Sequence, residues 1–204
     1  MKKLYARWGD QVRFVDVLIR QAHPGPRVPA YREFSQKLRD AAAYQEEEGI
    51  PWTVLIDDLE GTTHQAYGGL ADPTYLIDTE GRVSYYNMWT YAPALHEAIR
   101  RLLAQGGKGM IDGGVDHTPY LLPATVAGWK AIQRGLPTSF LDLETAAPGS
   151  GSATWVASHL RPLLAPIALR AKPLPPSVRR GLAAGAAALA LVGAWRLARR
   201  EASG

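Results

Sequence analysis

The spacing of apolar positions changes several times along the chain, and each spacing predicts an element. Val12 to Ile19 reads VRFVDVLI, nearly continuous in β-branched and apolar residues, which predicts a buried parallel strand. Tyr31, Phe34, Leu38, Ala41 and Ala42 follow at helical spacing behind Pro29, which suits a first helical turn. Gly49 ends that helix in the left-handed conformation, and Pro51 keeps it from resuming. Trp52 to Ile56 is a second buried strand, closed by Asp57 and Asp58, and a short helix over 62–67 precedes Gly68 and Gly69.

A hairpin comes next. Thr74 to Ile77 is one strand, Asp78-Thr79-Glu80-Gly81 is a turn whose glycine supplies positive φ, and Arg82 to Trp89 returns. The return strand sets Val83, Tyr85, Asn87 and Trp89 against Arg82, Ser84, Tyr86 and Met88, the alternation of an antiparallel strand with two unlike faces. A helix over 92–105 carries the stripe Leu95, Ala98, Ile99, Leu102 and Leu103, with Gly106 as its cap. Strand, helix, strand, helix, strand, strand, helix makes an α/β sandwich with a mixed sheet.

Beyond residue 105 the pattern thins. Residues 106–153 read as an irregular extension draped over the domain of residues 1–105, with one short helix over 123–134. Residues 154–204 read as a Pro-interrupted basic tail, in which Gly181 to Trp195 forms an uncharged apolar helix. Charge sharpens this division. Residues 1–109 carry 13 Lys and Arg against 14 Asp and Glu, whereas residues 110–204 carry 10 against 5. The basic excess therefore belongs to the tail, and no nucleic-acid-binding face is expected on the main domain. The apolar stretch is short for a bilayer span. Val178, Leu197 and Ala198 extend it, and five flanking arginines from Arg179 to Arg200 can snorkel, so residues 178–198 are a candidate for membrane association. A basic interfacial or partner-bound helix is the competing reading.

The chain has no cysteine, which excludes disulfides, zinc–thiolate sites and a thiol nucleophile among these residues. Asp57, Asp58 and Glu60 read as solvated turn carboxylates, so no metal is expected. Gly106-Gly107-Lys108-Gly109 follows a helix and lacks a Ser or Thr after Lys108, so it reads as a linker and not a phosphate loop. His64, His96, His117 and His159 read as surface residues, and Glu46-Glu47-Glu48 as a solvated run at a helix end.

The stretch from Tyr67 to Arg82, YGGLADPTYLIDTEGR, resembles the second half of the thioredoxin-fold redoxins, where a cis-proline opens the strand and an acid-x-acid-Gly turn follows it. Ile19-Arg20-Gln21-Ala22-His23-Pro24 and Asp57-Asp58 with Gln65-Ala66-Tyr67-Gly68 are similar to segments of the iodothyronine deiodinase branch, with Gln21 where that family usually has glutamate. The resemblance covers residues 1 to about 105. It implies a three-layer α/β/α sandwich lacking its first, central strand, which would lie between residues 12–19 and 74–78. A gap or improvised pairing is expected there, with a cis Asp72–Pro73 bond.

The resemblance also implies an oxidoreductase in which a selenocysteine or cysteine attacks an iodinated, peroxide or disulfide substrate and an external thiol resets it, with no cofactor. The nucleophile is expected upstream of Met1, encoded by an in-frame opal codon if it is selenocysteine; this chain alone would be inactive. His23 is then the acid/base candidate, or else a turn histidine ahead of Pro24. Asp72, Pro73 and Thr74 are the candidate substrate-binding residues, the alternative being a purely structural proline. The expected partners are a thiol reductant and a small-molecule substrate. The Ala-, Gly- and Arg-rich composition looks like that of a high-GC bacterium, and the expected location is the bacterial cytoplasm or the cytoplasmic face of the membrane. A nucleophile-free redoxin-fold binding module tethered to a membrane is the other class of function.

Overall fold

A computed structural model describes residues 1–21, 24–117 and 120–201. It is a mixed α/β structure in two compact units, Met1–Ala171 and Lys172–Gly204. The first unit opens with α1 (Lys2–Trp8), β1 (Val15–Leu18), α2 (Phe34–Glu47), β2 (Thr53–Ile56) and α3 (Thr62–Ala66). It continues with β3 (Thr74–Ile77), β4 (Val83–Asn87), α4 (Ala92–Ala104) and β5 (Val115–Asp116). Five helices complete it: α5 (Leu121–Ala127), α6 (Trp129–Arg134), α7 (Thr138–Ala146), α8 (Ser150–His159) and α9 (Arg161–Ala168). The second unit is α10 (Pro176–Glu201). Among the described residues no helix is long and apolar enough to cross a membrane.

The strands fall into two sheets. Parallel β1 and β2 pair Val15 with Thr53 through Leu18 with Ile56, while β3, β4 and β5 form the other sheet. No ladder joins β1 to β3 among the described residues, so the break expected between these strands is present. The main core lies on the second sheet. Leu4 and Trp8 of α1, Leu76 of β3, Tyr85 of β4, and Leu95, Ala98, Ile99 and Leu102 of α4 are all buried together. The stripe read on α4 is therefore its core face. Trp8 Nε1 donates to His96 Nδ1 at 3.1 Å, which fastens α1 to α4; His96 is a half-buried pin and not the surface residue expected.

Several expectations fail for local reasons. The helix read from Pro29 begins at Phe34, because Glu33 and Gln36 form a capping box that fixes the start. Its buried positions are Lys37 and Ala41, with Phe34 and Leu38 exposed. Lys37 reaches under the end of β2 and donates to the Asp58 carbonyl at 2.9 Å, and Tyr44, one further step along that face, meets β1. The alternation read on the return strand breaks at Ser84. Leu76 pairs with Tyr85 and Ile77 with Val83, so Ser84 is an extra residue at a bulge and is buried beside Tyr85. The Ser84 carbonyl then lies 2.8 Å from where a Cβ on Gly114 would stand, so only glycine lets the chain into β5 approach β4 this closely.

The stretch read as irregular is mostly helical, since residues 121–146 form α5, α6 and α7 and α8 begins at Ser150. Gly128 divides the single helix expected over 123–134 into α5 and α6. The acidic run at the end of α2 also has partners. Glu48 pairs with Lys130 and Glu47 with Arg134 of α6, at 2.6 Å for the latter. These cations answer the unfavourable placement of carboxylates at a helix C-terminus.

Candidate functional site: the groove between two strand edges

Strands β1 and β3 face each other across a cavity of about 1260 Å³. One wall is β1 with Val15, Val17 and Leu18; the other is β3 from Thr74 to Ile77; Leu95, Ile99 and Leu102 of α4 line it further. The register explains what the first wall exposes. Val15 pairs with Thr53 and Val17 with Leu55, so these four side chains share one face of the small sheet. That face is uncovered: Val15 is 43% exposed, Val17 38% and Leu55 51%. The two strands read as fully buried are thus half-open, because α2 packs on the opposite face while Val15, Val17 and Leu55 keep much of their surface exposed on this one.

Polar groups gather at one side of the groove. Asp16 interrupts the apolar run of β1, and its carboxylate accepts from the Tyr44 hydroxyl at 3.0 Å. Burial, reinforced by Asp16, raises the Tyr44 phenol well above the ordinary tyrosine value. Asp72 retains exposed surface, yet desolvation in the crowded mouth of the groove pushes its carboxyl up, and Asp16 adds to this against hydrogen bonds from Thr90. Thr74 Oγ1 lies 2.8 Å from Thr90 Oγ1, and the Thr90 hydroxyl also donates to the Asp72 carbonyl at 3.3 Å. His64 Nε2 lies 2.9 Å from the Leu70 carbonyl.

The structure thus brings Asp72, Pro73 and Thr74 to the wall of one cavity. His23 lies outside the described residues. The Asp72–Pro73 peptide is trans, contrary to the expected cis bond; the cis bond of the described chain is Leu136–Pro137. An extended trans backbone lets Asp72 bridge to Trp89 while Thr74 pairs with Asn87, so both ends of the dipeptide are held to the return strand. Reading the sequence alone missed Asp16, Tyr44, His64 and Thr90. Asp16 carried a usable signal, a lone charge inside a run of strand-forming apolar residues.

The carboxylates next to β2 are spoken for locally. Asp57 is 3% exposed and accepts from the amides of Asp58, Thr63 and His64 at 3.0, 2.9 and 2.9 Å. Burial opposes its charge, but these donors and the Thr63 hydroxyl outweigh it and hold the carboxyl below the ordinary value. It closes the start of α3, and no acidic or histidine cluster suited to a metal occurs among the described residues.

On the β3–β4 sheet, the rings of Tyr67, Tyr75, Tyr86 and His117 succeed one another at 4.9, 5.0 and 5.6 Å. No protein-family model, curated protein or solved structure matches the chain. Its functional reading therefore stands on the groove: two facing strand edges, an uncovered apolar sheet face, and a carboxylate pair with Tyr44 and Thr90.

Proposed function

We propose that residues 1–105 form the greater part of a thioredoxin-like redoxin domain of the deiodinase-like kind, an oxidoreductase whose chalcogen nucleophile follows a strand seated between β1 and β3 and caps the helix that ends in α1. The break between the two sheets carries this reading. An amide or carbonyl left unpaired in apolar surroundings costs about 1–3 kcal/mol, so two facing edges favour a strand that pairs with both. Such a strand would join the sheets into one and put an apolar neighbour beside Val15 and Val17, which line the groove.

The chemistry is a two-stage exchange. A selenolate or thiolate takes iodine from an aryl iodide while a proton replaces it on carbon. A first external thiol then displaces iodide to give a mixed disulfide or selenenyl sulfide, and a second thiol releases the chalcogenolate with formation of a disulfide. Asp72 and Thr74 would border the substrate at the groove. Desolvation raises the Asp72 carboxyl above its ordinary value, a shift in favour of the protonated form that can donate a hydrogen bond there.

One observation favours a second reading, a nucleophile-free module that binds an extended segment without chemistry. The trans Asp72–Pro73 bond departs from the cis-proline expected of the redoxin fold, and so counts against that fold as well as against its catalysis. Extending the reading frame upstream of Met1 separates the two. If it encodes a strand followed by selenocysteine or cysteine, the longer protein made with cysteine should show thiol-dependent iodide release or peroxide reduction, lost on Cys→Ser. A frame lacking both residues, or a folded longer protein inert in both assays, overturns the enzyme reading.

A further inference from the structure

We propose that the groove between β1 and β3 recognises an extended segment of a partner polypeptide, one with apolar residues at alternate positions and a lysine or arginine between them that meets Asp16 and Asp72. Both readings above seat a strand here; the inference rests on that seat and names the chemistry of its occupant. The backbone favours a strand over a compact ligand. Among the described residues β1 pairs with β2 alone and β3 with β4 alone, so each turns one unladdered edge to the groove. An extended peptide offers amide and carbonyl groups to both edges, along the four residues of each strand, which a compact ligand does not.

Alternation along β1 sets the side chains of the guest. Val15 and Val17 point to the face where they keep much of their surface exposed, and Asp16 points to the face of α2, where Tyr44 donates to it at 3.0 Å. A guest strand beside β1 therefore places apolar residues next to the valines and a polar one next to Asp16. Charge decides which polar one. Asp72, on the opposite wall, receives hydrogen bonds from Thr90 and lies near enough to Asp16 for the two carboxylates to repel. Neither has an ion pair among the described residues. The cations that line the groove do not answer them both. The Met1 amino group acts on Asp16, but burial works against its charge. The Lys2 ammonium lies toward Gly49 and acts on Glu48. Lys3 and Arg13 are exposed, and none of these four cations acts on Asp72. Asp78, the third carboxylate of the lining, is already engaged by the amides of Glu80, Arg82 and Gly109. Two like charges thus flank the path of a strand, and a cationic side chain on that strand answers both.

The test is fluorescence anisotropy of the 204-residue chain with short, labelled, end-blocked peptides that alternate valine with threonine and carry lysine, threonine or glutamate at one central threonine position. The lysine peptide should bind at least about fivefold tighter than the threonine peptide and the glutamate peptide most weakly, with the gap narrowing as salt rises from roughly 0.01 to roughly 0.15 M. Asp16→Asn and Asp72→Asn should each shrink the lysine preference at least about twofold and leave the threonine peptide's affinity unchanged. Should Asp16→Asn misfold, Asp72→Asn alone serves, since that residue is exposed. A lysine peptide N-methylated at alternate residues, unable to donate along one edge, should bind at least about tenfold more weakly, and the unmethylated peptide should slow amide exchange in β1 and β3. Equal affinity for the lysine and glutamate peptides overturns the inference while leaving the strand seat in place. Failure of all three peptides to bind overturns the inference and the seat together. Undiminished binding of the methylated peptide overturns the inference, and so does protection confined to residues outside β1 and β3. So does a dimer that shields these strands and excludes the peptides, since the occupant would then be a second copy. No nucleophile or turnover enters these readouts, so the redoxin chemistry stands or falls separately.

Discussion

Replacing Asp57 by asparagine tests whether one carboxylate organises the link from β2 to α3. The side chain is isosteric, so no cavity forms, and the perturbation is confined to hydrogen bonding. Asp57 Oδ1 accepts from Asp58 and Thr63 and Oδ2 from His64. Asparagine keeps one acceptor atom and sets an amide N–H against the donor that loses its partner, at a cost of about 1–3 kcal/mol. The two remaining bonds change from charged to neutral, and bonds to an ionised acceptor are roughly twice as strong. The sum is about 3 kcal/mol, which for a chain of this size lowers Tm by roughly 6–12 °C.

The pH dependence gives a second check. Because the folded carboxyl titrates below the ordinary value of 3.8, its stabilisation is complete above that pH. It is lost as pH falls through the lower, folded value. The gap between parent and D57N should therefore be full at pH 7 and should close in strong acid. Thermal melts by circular dichroism at the two pH extremes measure it, and faster exchange of the Thr63 and His64 amides should accompany it. A D57N chain that melts with the parent at neutral pH refutes the reasoning, and so does a gap that persists undiminished in acid.

Ile99→Ala removes a side chain 1% exposed at the centre of the main core and should cost about 3 kcal/mol by urea unfolding. Asp72→Asn should raise Tm at neutral pH, because desolvation penalises the charged form in the fold; the parent should gain on the variant as pH falls through the raised value of Asp72 toward 3.8. The Glu97 carboxyl, hydrogen-bonded to Arg100 and Arg101, should titrate at about 2 by carbon-detected NMR, and substituting Arg100 by Gln should move it upward.

Features set by neighbouring residues were legible in the sequence. The α4 stripe, the Gly81 turn with φ of 82° and the strand positions all come from local spacing or from one residue's backbone freedom. What depends on distant partners was not. Nothing near Glu47 and Glu48 indicates that Arg134 and Lys130, more than 80 positions on, will pair with them. Nothing near Lys37 in the sequence indicates that it will be buried and will donate to the Asp58 carbonyl. The bulge at Ser84 conceals itself, because one inserted residue leaves the apolar count of the strand unchanged. In α5 to α9 the buried residues are Val126, Ser139, Gly151, Thr154, Ala157 and Ala168, mostly too small or too polar to register as an apolar stripe. For the groove, the sequence carried its position through the order of strands, but the polar group formed by Asp16, Tyr44 and Thr90 comes from three separated elements.

The missing ladder between β1 and β3 also bears on how the first unit opens. Backbone hydrogen bonds are the stiffest link between neighbouring strands, and where they stop, cooperativity must pass through side-chain packing alone. The main core of α1, α4, β3 and β4 holds the buried leucines and Ile99, whereas β1 and β2 share a sheet with one bare face. Two such bodies should exchange their amide hydrogens as separate units of unequal stability, with the β1–β2 pair expected to open first. A strand bound in the groove would tie them into one, so its arrival would be read most clearly as a merging of two opening events and not as a change of shape.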